Sequence, residues 1–107
     1  MFGLRDEDIE SIVVVLKKEQ AIEQGVIFGS RVKGNYNNGS DVDIALKGAA
    51  VTDEIASHVS YALNEETLMP YKFDVLNFNT IDNADLLDQI RQEGKNIYQR
   101  SLINRNA

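Results

Sequence analysis

Several residue types are rare or absent in this sequence. Its 107 residues include no cysteine, no tryptophan, one proline and one histidine. Without cysteine, disulfide bonds and thiolate zinc sites are excluded, so the chain must fold by burying a hydrophobic core. Since His58 is the single histidine, a serine–histidine catalytic arrangement would have one available base.

Long apolar segments are also missing. No uninterrupted apolar run approaches the ~20 residues that a membrane-spanning helix needs. The first ten residues, MFGLRDEDIE, are acidic and lack the basic-then-apolar order of a signal peptide. These absences predict a cytoplasmic protein that does not contact a membrane.

Basic residues are outnumbered, with 11 Lys plus Arg against 17 Asp plus Glu and a formal net charge of −6. This balance argues against direct contact with nucleic acid, which usually requires a basic face. It is compatible with a nucleotide, because carboxylates bind Mg²⁺ and the metal binds the phosphates. The apolar share of 43% is typical of globular domains. The length predicts one domain, residues 1–107.

Helices and strands alternate in the predicted secondary structure. The spacing of apolar residues predicts helices at residues 5–18, from Thr52 to about residue 64, and from Asp82 to Gly94. Thr52 and Asp82 are the expected N-caps, and Gly94 is expected to end the third helix. Strands are predicted at residues 26–28, 41–46, 71–78 and 96–99, with turn-forming residues at 34–40. The pattern predicts an α/β (α+β) fold, a small mixed β-sheet with helices packed against it.

Three acidic residues lie within the predicted strands: Asp41, Asp43 and Asp74. Asp41 and Asp43 are two residues apart on one strand, so their side chains point to the same face. Asp74 interrupts an otherwise apolar strand, where a carboxylate is unfavourable unless something compensates its charge. Carboxylate oxygens are the hard ligands that Mg²⁺ prefers. The three residues therefore predict a magnesium site.

A predicted turn follows the first strand at Gly29 and Ser30. Glycine permits a tight turn and a close approach of the backbone to a ligand. The Ser30 hydroxyl and the amides after it can bind an anion where a short helical turn begins. A phosphate site beside a magnesium site predicts binding of a nucleoside triphosphate.

Together these residues resemble the signature of polymerase-beta-type nucleotidyltransferases, which consists of Gly-Ser, ten residues, Asp-x-Asp and a third acid on a later strand. Here the signature is Gly29-Ser30, Asp41-x-Asp43 and Asp74, within GSRVKGNYNNGSDVDIAL and FDVL. The short length and the GSRVKG stretch most resemble the minimal nucleotidyltransferase (MNT) domains. These are the antitoxins of pairs whose toxin is a HEPN-domain ribonuclease. The resemblance covers residues 9–99.

The resemblance implies a polymerase-beta-like fold and the transfer of AMP from ATP to a hydroxyl, with pyrophosphate leaving. The acceptor it implies is a tyrosine of the HEPN toxin. It assigns two Mg²⁺ ions to Asp41, Asp43 and Asp74, and gives Asp74 a share in removing the acceptor proton. It assigns the triphosphate to Gly29, Ser30 and Arg31. Since one helix and an edge strand are all that is predicted after Asp74, a separate polypeptide is expected to present the acceptor.

Other interpretations stay open from the sequence. A binding antitoxin that occludes its toxin without chemistry is one, and a small-molecule nucleotidyltransferase of the antibiotic-modifying type is another. Arg31 with Lys33 is either a phosphate or partner contact or a solvated basic pair. Tyr36 is expected to be an exposed loop residue, and His58 is expected to pair at the surface with Glu54, four residues earlier on a helix.

Overall fold

The computed structural model describes residues 1–37 and 39–100, where helices and strands alternate as predicted. The helices are α1 (Asp6–Lys17), α2 (Ser30–Lys33), α3 (Asp53–Glu65) and α4 (Ala84–Glu93), with a 3₁₀ turn at Phe78–Thr80. The strands are β1 (Gln24–Phe28), β2 (Val42–Lys47), β3 (Phe73–Asn77) and β4 (Lys95–Gln99). Asn38 of the predicted turn and residues 101–107 of the predicted domain lie outside the described residues. No helix within the described part is long and apolar enough to cross a membrane.

The four strands form one mixed sheet in the order β3-β2-β1-β4. β1 is antiparallel to both β2 and β4, whereas β2 and β3 are parallel. A parallel pair requires a crossover connection, and α3 supplies it between β2 and β3. The predicted α/β class and mixed sheet are confirmed.

The two faces of the sheet pack against different helices and hydrophobic clusters. On one face, side chains of α1 and α3 pack with Val42, Ile44 and Leu46 of β2 in the larger hydrophobic core. On the other face, Ile90 of α4 packs in a smaller cluster that includes Ala45 of β2. Because side chains alternate along a strand, Asp43 lies on the same face as Ala45. The acidic side chains of β2 therefore belong to the face with the smaller apolar cluster.

The helix ends agree with the predictions at two places and differ at a third. The Thr52 hydroxyl caps α3 by accepting a hydrogen bond from the Ile55 amide at 3.2 Å, and Gly94 ends α4. The prediction of Asp82 as the cap of α4 is wrong. Asn83 occupies that position, and its side-chain oxygen accepts a hydrogen bond from the Leu86 amide at 3.0 Å. An asparagine caps a helix as well as an aspartate does, so composition alone could not distinguish the two neighbours.

Candidate active site

Two neighbouring parallel strands bring Asp43 and Asp74 side by side. The register pairs Asp43 of β2 with Asp74 of β3, so both side chains point to the same face of the sheet. Asp43 is half-buried and Asp74 is exposed. Asp41 is exposed and lies one residue before β2. The structure thus pairs Asp43 with Asp74 near the starts of two adjacent strands and places Asp41 just before the first of them.

The electrostatics of this group centre on Asp43. Burial, together with the negative charges of Asp74 and Asp41, raises the pKa of the Asp43 carboxyl to about 6. A carboxyl that is both partly desolvated and surrounded by like charges is typical of functional sites. A bound cation would relieve this repulsion directly.

Gly29 is the second component of the site, and it lies directly against Asp43. Phe28, the last residue of β1, pairs with Asp43 across the antiparallel ladder, so the chain leaves β1 beside that carboxylate. Gly29 has a φ of +81°, and a Cβ at this position would collide with Asp43 Oδ2. Glycine is therefore required here both by the backbone conformation and by the nearby carboxylate.

Ser30 follows as the first residue of α2 and is half-buried. The amides of Val32 and Lys33 both donate to the Gly29 carbonyl. The amides at the very start of a helix have no partner within the helix, which leaves them available to an anion. The predicted helical turn therefore begins at Ser30, next to Asp43, and its role as a phosphate contact stays a prediction.

The burial of Arg31 contradicts its prediction as a solvated basic residue. Its side chain is 3% exposed, so it is not a solvated residue. The guanidinium donates hydrogen bonds to the main-chain oxygens of Phe2 at 3.0 Å and Ser40 at 3.1 Å. It also stacks between the rings of Tyr36 and Tyr71 at 5.1 and 5.2 Å. These contacts occupy the guanidinium within the protein rather than at the predicted phosphate.

The structure also tests the predictions for Lys33, Tyr36 and His58. Lys33 is exposed and forms an ion pair with Glu93 of α4 at 3.9 Å. Tyr36 is half-buried against Arg31, so its prediction as an exposed loop residue is wrong. His58 and Glu54 are both exposed, but within the described segments no ion pair joins them.

Sequence reasoning missed a buried polar cluster around Asp8. Asp8 is 2% exposed and accepts hydrogen bonds from Arg5 at 3.0 Å and from the Tyr71 hydroxyl at 2.7 Å. The Arg5 guanidinium, together with the Tyr71 hydroxyl, holds the pKa of Asp8 at about 2 despite its burial. The acidic first turn of a helix is a common surface feature, and only the fold brings Tyr71 to it.

The fit of this site to a metal can be tested on its own residues. Between Met1 and Arg100, Asn38 apart, no three histidine or acidic side chains stand close enough to enclose a metal ion by themselves. Mg²⁺, however, is usually held by one or two carboxylates, several waters and the phosphates of the substrate. Asp43 and Asp74 supply two such carboxylates, and the raised pKa of Asp43 reflects its burial and, after that, the neighbouring negative charges. The residues present therefore fit Mg²⁺ bound jointly with a nucleotide.

The comparison with known protein families identifies the class of protein to which this fold belongs. The model of the family described as "Polymerase beta, Nucleotidyltransferase" matches residues 10–102. The chain belongs to this family. No curated protein sequence matches it.

Solved structures with the same fold include chains of toxin–antitoxin complexes. A toxin–antitoxin complex with AMP-PNP contains a chain that matches with a TM-score of 0.70 at 17% identity, covering 96% of this chain and 80% of that one. The complex of a tri-AMPylated Shewanella oneidensis HEPN toxin with an MNT antitoxin gives 0.69 at 15%, covering 96% and 79%. The MntA–HepT toxin–antitoxin structure gives 0.67 at 15%, covering 95% and 79%. At these identities the likeness shows the fold alone.

The raised pKa of Asp43 predicts a pH dependence of stability in metal-free buffer. The pKa is about 6 in the folded protein and near 4 in the unfolded chain, so the folded state binds more protons between these values. The free energy of unfolding therefore falls as the pH rises through this interval. We expect the wild type to lose about 1 kcal/mol between pH 5 and pH 7.5, after allowance for solvent screening of a half-buried group.

Urea unfolding with a chelator present, at both pH values, measures this difference. Asp43→Asn lacks the titrating group and should lose less stability over the same interval, whereas Asp88→Asn, an exposed acid of α4, should behave as the wild type. Asp8 titrates near pH 2 and does not contribute in this range. Equal pH profiles for the wild type and Asp43→Asn would contradict the prediction.

Proposed function

We propose that this chain is a Mg²⁺-dependent nucleotidyltransferase that transfers AMP from ATP to a tyrosine hydroxyl of a HEPN-domain toxin, and so acts as its antitoxin. In this proposal residues 1–107 form a single catalytic domain that works in the cytoplasm. The main support for this function is the β2–β3 register, which pairs Asp43 with Asp74 next to the Gly29 turn. Membership of the nucleotidyltransferase family supports the chemistry.

The proposed partner rests on the structures that share the fold. One of them combines an MNT antitoxin with a tri-AMPylated HEPN toxin, and another toxin–antitoxin complex holds AMP-PNP. A protein that modifies its toxin in this way needs a nucleotide site and an acceptor supplied by the partner. The exposed Asp74 on β3, one of the two edge strands of the described sheet, is accessible to such an acceptor.

The proposed roles follow from the positions of the side chains. Asp41, Asp43 and Asp74 would hold two Mg²⁺ ions, which would supply charge neutralisation for the triphosphate and for the attacking and leaving oxygens. Gly29 lets the chain pass beside Asp43, and Ser30 with its neighbouring amides orients the triphosphate. The acceptor oxygen forms a bond to the α-phosphorus while the bond to pyrophosphate breaks. Asp74, the more exposed of the paired acids, takes the acceptor proton.

Co-expression with a HEPN partner, followed by mass spectrometry of that partner, tests the proposal. We expect an added adenylyl group on a tyrosine, and no addition when that tyrosine is replaced by phenylalanine. Purified components with α-labelled ATP should transfer the label only when a divalent cation is present. A partner that is neutralised while remaining unmodified would contradict the proposal and would support occlusion instead.

A further inference from the structure

We propose that Arg31 is a positioning residue that fixes Asp41 relative to the Gly29–Ser30 turn. The inference rests on the proposed function, since it assigns to Arg31 the geometry of that same site. Arg31 follows Ser30 directly, and its side chain reaches the other end of the Gly34–Ser40 loop. Arg31 thereby connects the Gly29–Ser30 turn to Asp41.

The contact with Ser40 carries the argument. The Arg31 Nε and Nη2 atoms donate to the Ser40 carbonyl oxygen at 3.3 and 3.1 Å. That carbonyl belongs to the peptide group that joins Ser40 to Asp41. Because the peptide group is planar, fixing this carbonyl fixes the position of the Asp41 Cα relative to Arg31. Holding the carbonyl therefore limits the positions that the Asp41 carboxylate can reach.

The contacts of the Gly34–Ser40 loop are local among its described residues. Gly34 adopts a φ of +84°. The Asn37 amide donates to the Ser40 hydroxyl at 2.9 Å, and the Gly39 amide donates to the Asn37 side-chain oxygen at 2.8 Å. The hydrogen bonds from Arg31 reach the Ser40 carbonyl from outside these turns, and they connect the position of Asp41 to α2.

The Arg31 guanidinium is itself held by several other contacts. Arg31 Nη1 donates to the Phe2 carbonyl at 3.0 Å, and the guanidinium is stacked between Tyr36 and Tyr71. A buried guanidinium is unfavourable unless its donors are satisfied, and here carbonyls and aromatic faces satisfy them. Lysine, with a single ammonium, could not reproduce this planar fork of donors.

Metal binding in the presence of the ATP analogue AMP-PNP tests the proposal directly. Mn²⁺ titration followed by electron paramagnetic resonance reports on the acids without any dependence on turnover. We expect Arg31→Met to weaken Mn²⁺ binding by about 10-fold or more and to lower kcat for AMP transfer more than it raises KM for ATP. Arg31→Lys, which keeps a charge between the two rings, should fold and show an intermediate loss.

Two control variants separate positioning from general stability. Tyr71→Phe removes the hydrogen bond to Asp8 but keeps the ring over Arg31, so we expect Tm to fall by about 4–8 °C with Mn²⁺ affinity nearly unchanged. Arg91→Met removes an exposed arginine that stacks on one ring, that of Phe78 at 5.7 Å, and should affect neither quantity strongly.

A double-mutant cycle gives the decisive readout. If Arg31 acts through Asp41, then Arg31→Met should weaken Mn²⁺ binding much less in an Asp41→Asn background than in the wild type. Equal losses in both backgrounds, or wild-type Mn²⁺ affinity in Arg31→Met, would overturn the inference while leaving the proposed function intact. A wild-type protein that neither binds Mn²⁺ nor transfers AMP would overturn both.

Discussion

Asp43→Asn is expected to reduce AMP transfer by about 1,000-fold or more, which corresponds to about 4 kcal/mol of transition-state stabilisation. The substitution removes the carboxylate that lies beside Asp41, Asp74 and the Gly29 turn. In the proposed function, this carboxylate binds the metal that holds the nucleotide. It also removes a repelling charge, so the free energy of unfolding at pH 7.5 should not decrease. Single-turnover transfer of labelled AMP and urea unfolding measure the two quantities.

The matched control is Asp88→Asn, which makes the same chemical change at an exposed position on α4 and should leave transfer unchanged. Toxin neutralisation by the double variant Asp41→Asn/Asp43→Asn then distinguishes catalysis from occlusion. Lost neutralisation with retained toxin binding supports catalysis. Full neutralisation by the double variant would show that the acids are dispensable and that covering the toxin surface is sufficient.

Gly29→Ala is expected to have the second largest effect. Alanine at a φ of +81° is strained, and its Cβ would displace the Asp43 carboxylate. We expect about 1–3 kcal/mol of lost stability and about a 100-fold loss of transfer, because a small misplacement of reacting groups is costly. Urea unfolding and the same transfer assay measure the stability and the rate.

Gly34→Ala separates the effect of backbone strain from the effect of the collision with Asp43. Gly34 also has a positive φ, +84°, but a Cβ there would meet no atom within 4 Å. It should therefore lose about 1 kcal/mol of stability from backbone strain alone and keep most of its activity. If Gly34→Ala lost transfer as severely as Gly29→Ala, the collision with Asp43 would not explain the requirement for glycine.

Local patterns were sufficient to predict which elements form and which faces they bury. The alternation along β2 correctly separates Val42, Ile44 and Leu46 from Asp43, because side chains on a strand point to opposite faces. The spacing of Gly29-Ser30 and the acids was enough to indicate the family. These features depend on neighbours in the chain, and the sequence contains them directly.

Long-range features were not available from the same reasoning. The register that sets Asp43 opposite Asp74 joins strands separated by α3, and no local pattern specifies it. Arg31 was interpreted as a phosphate ligand or a solvated residue because GSRVK is locally polar. Its burial depends on Phe2 and Tyr71, which lie far from it in the chain and meet it only in the folded protein.

The pairing of two like charges on β2 and β3 has a consequence for the lifetime of the protein. A divalent cation that binds the folded chain and not the unfolded one stabilises it by mass action, in proportion to the logarithm of its concentration above Kd. Folding is then thermodynamically linked to the supply of magnesium and nucleotide. Under depletion the chain would open more often and meet proteases sooner. If the chain has the proposed function, it would be degraded fastest when the cell is short of the substrates it needs.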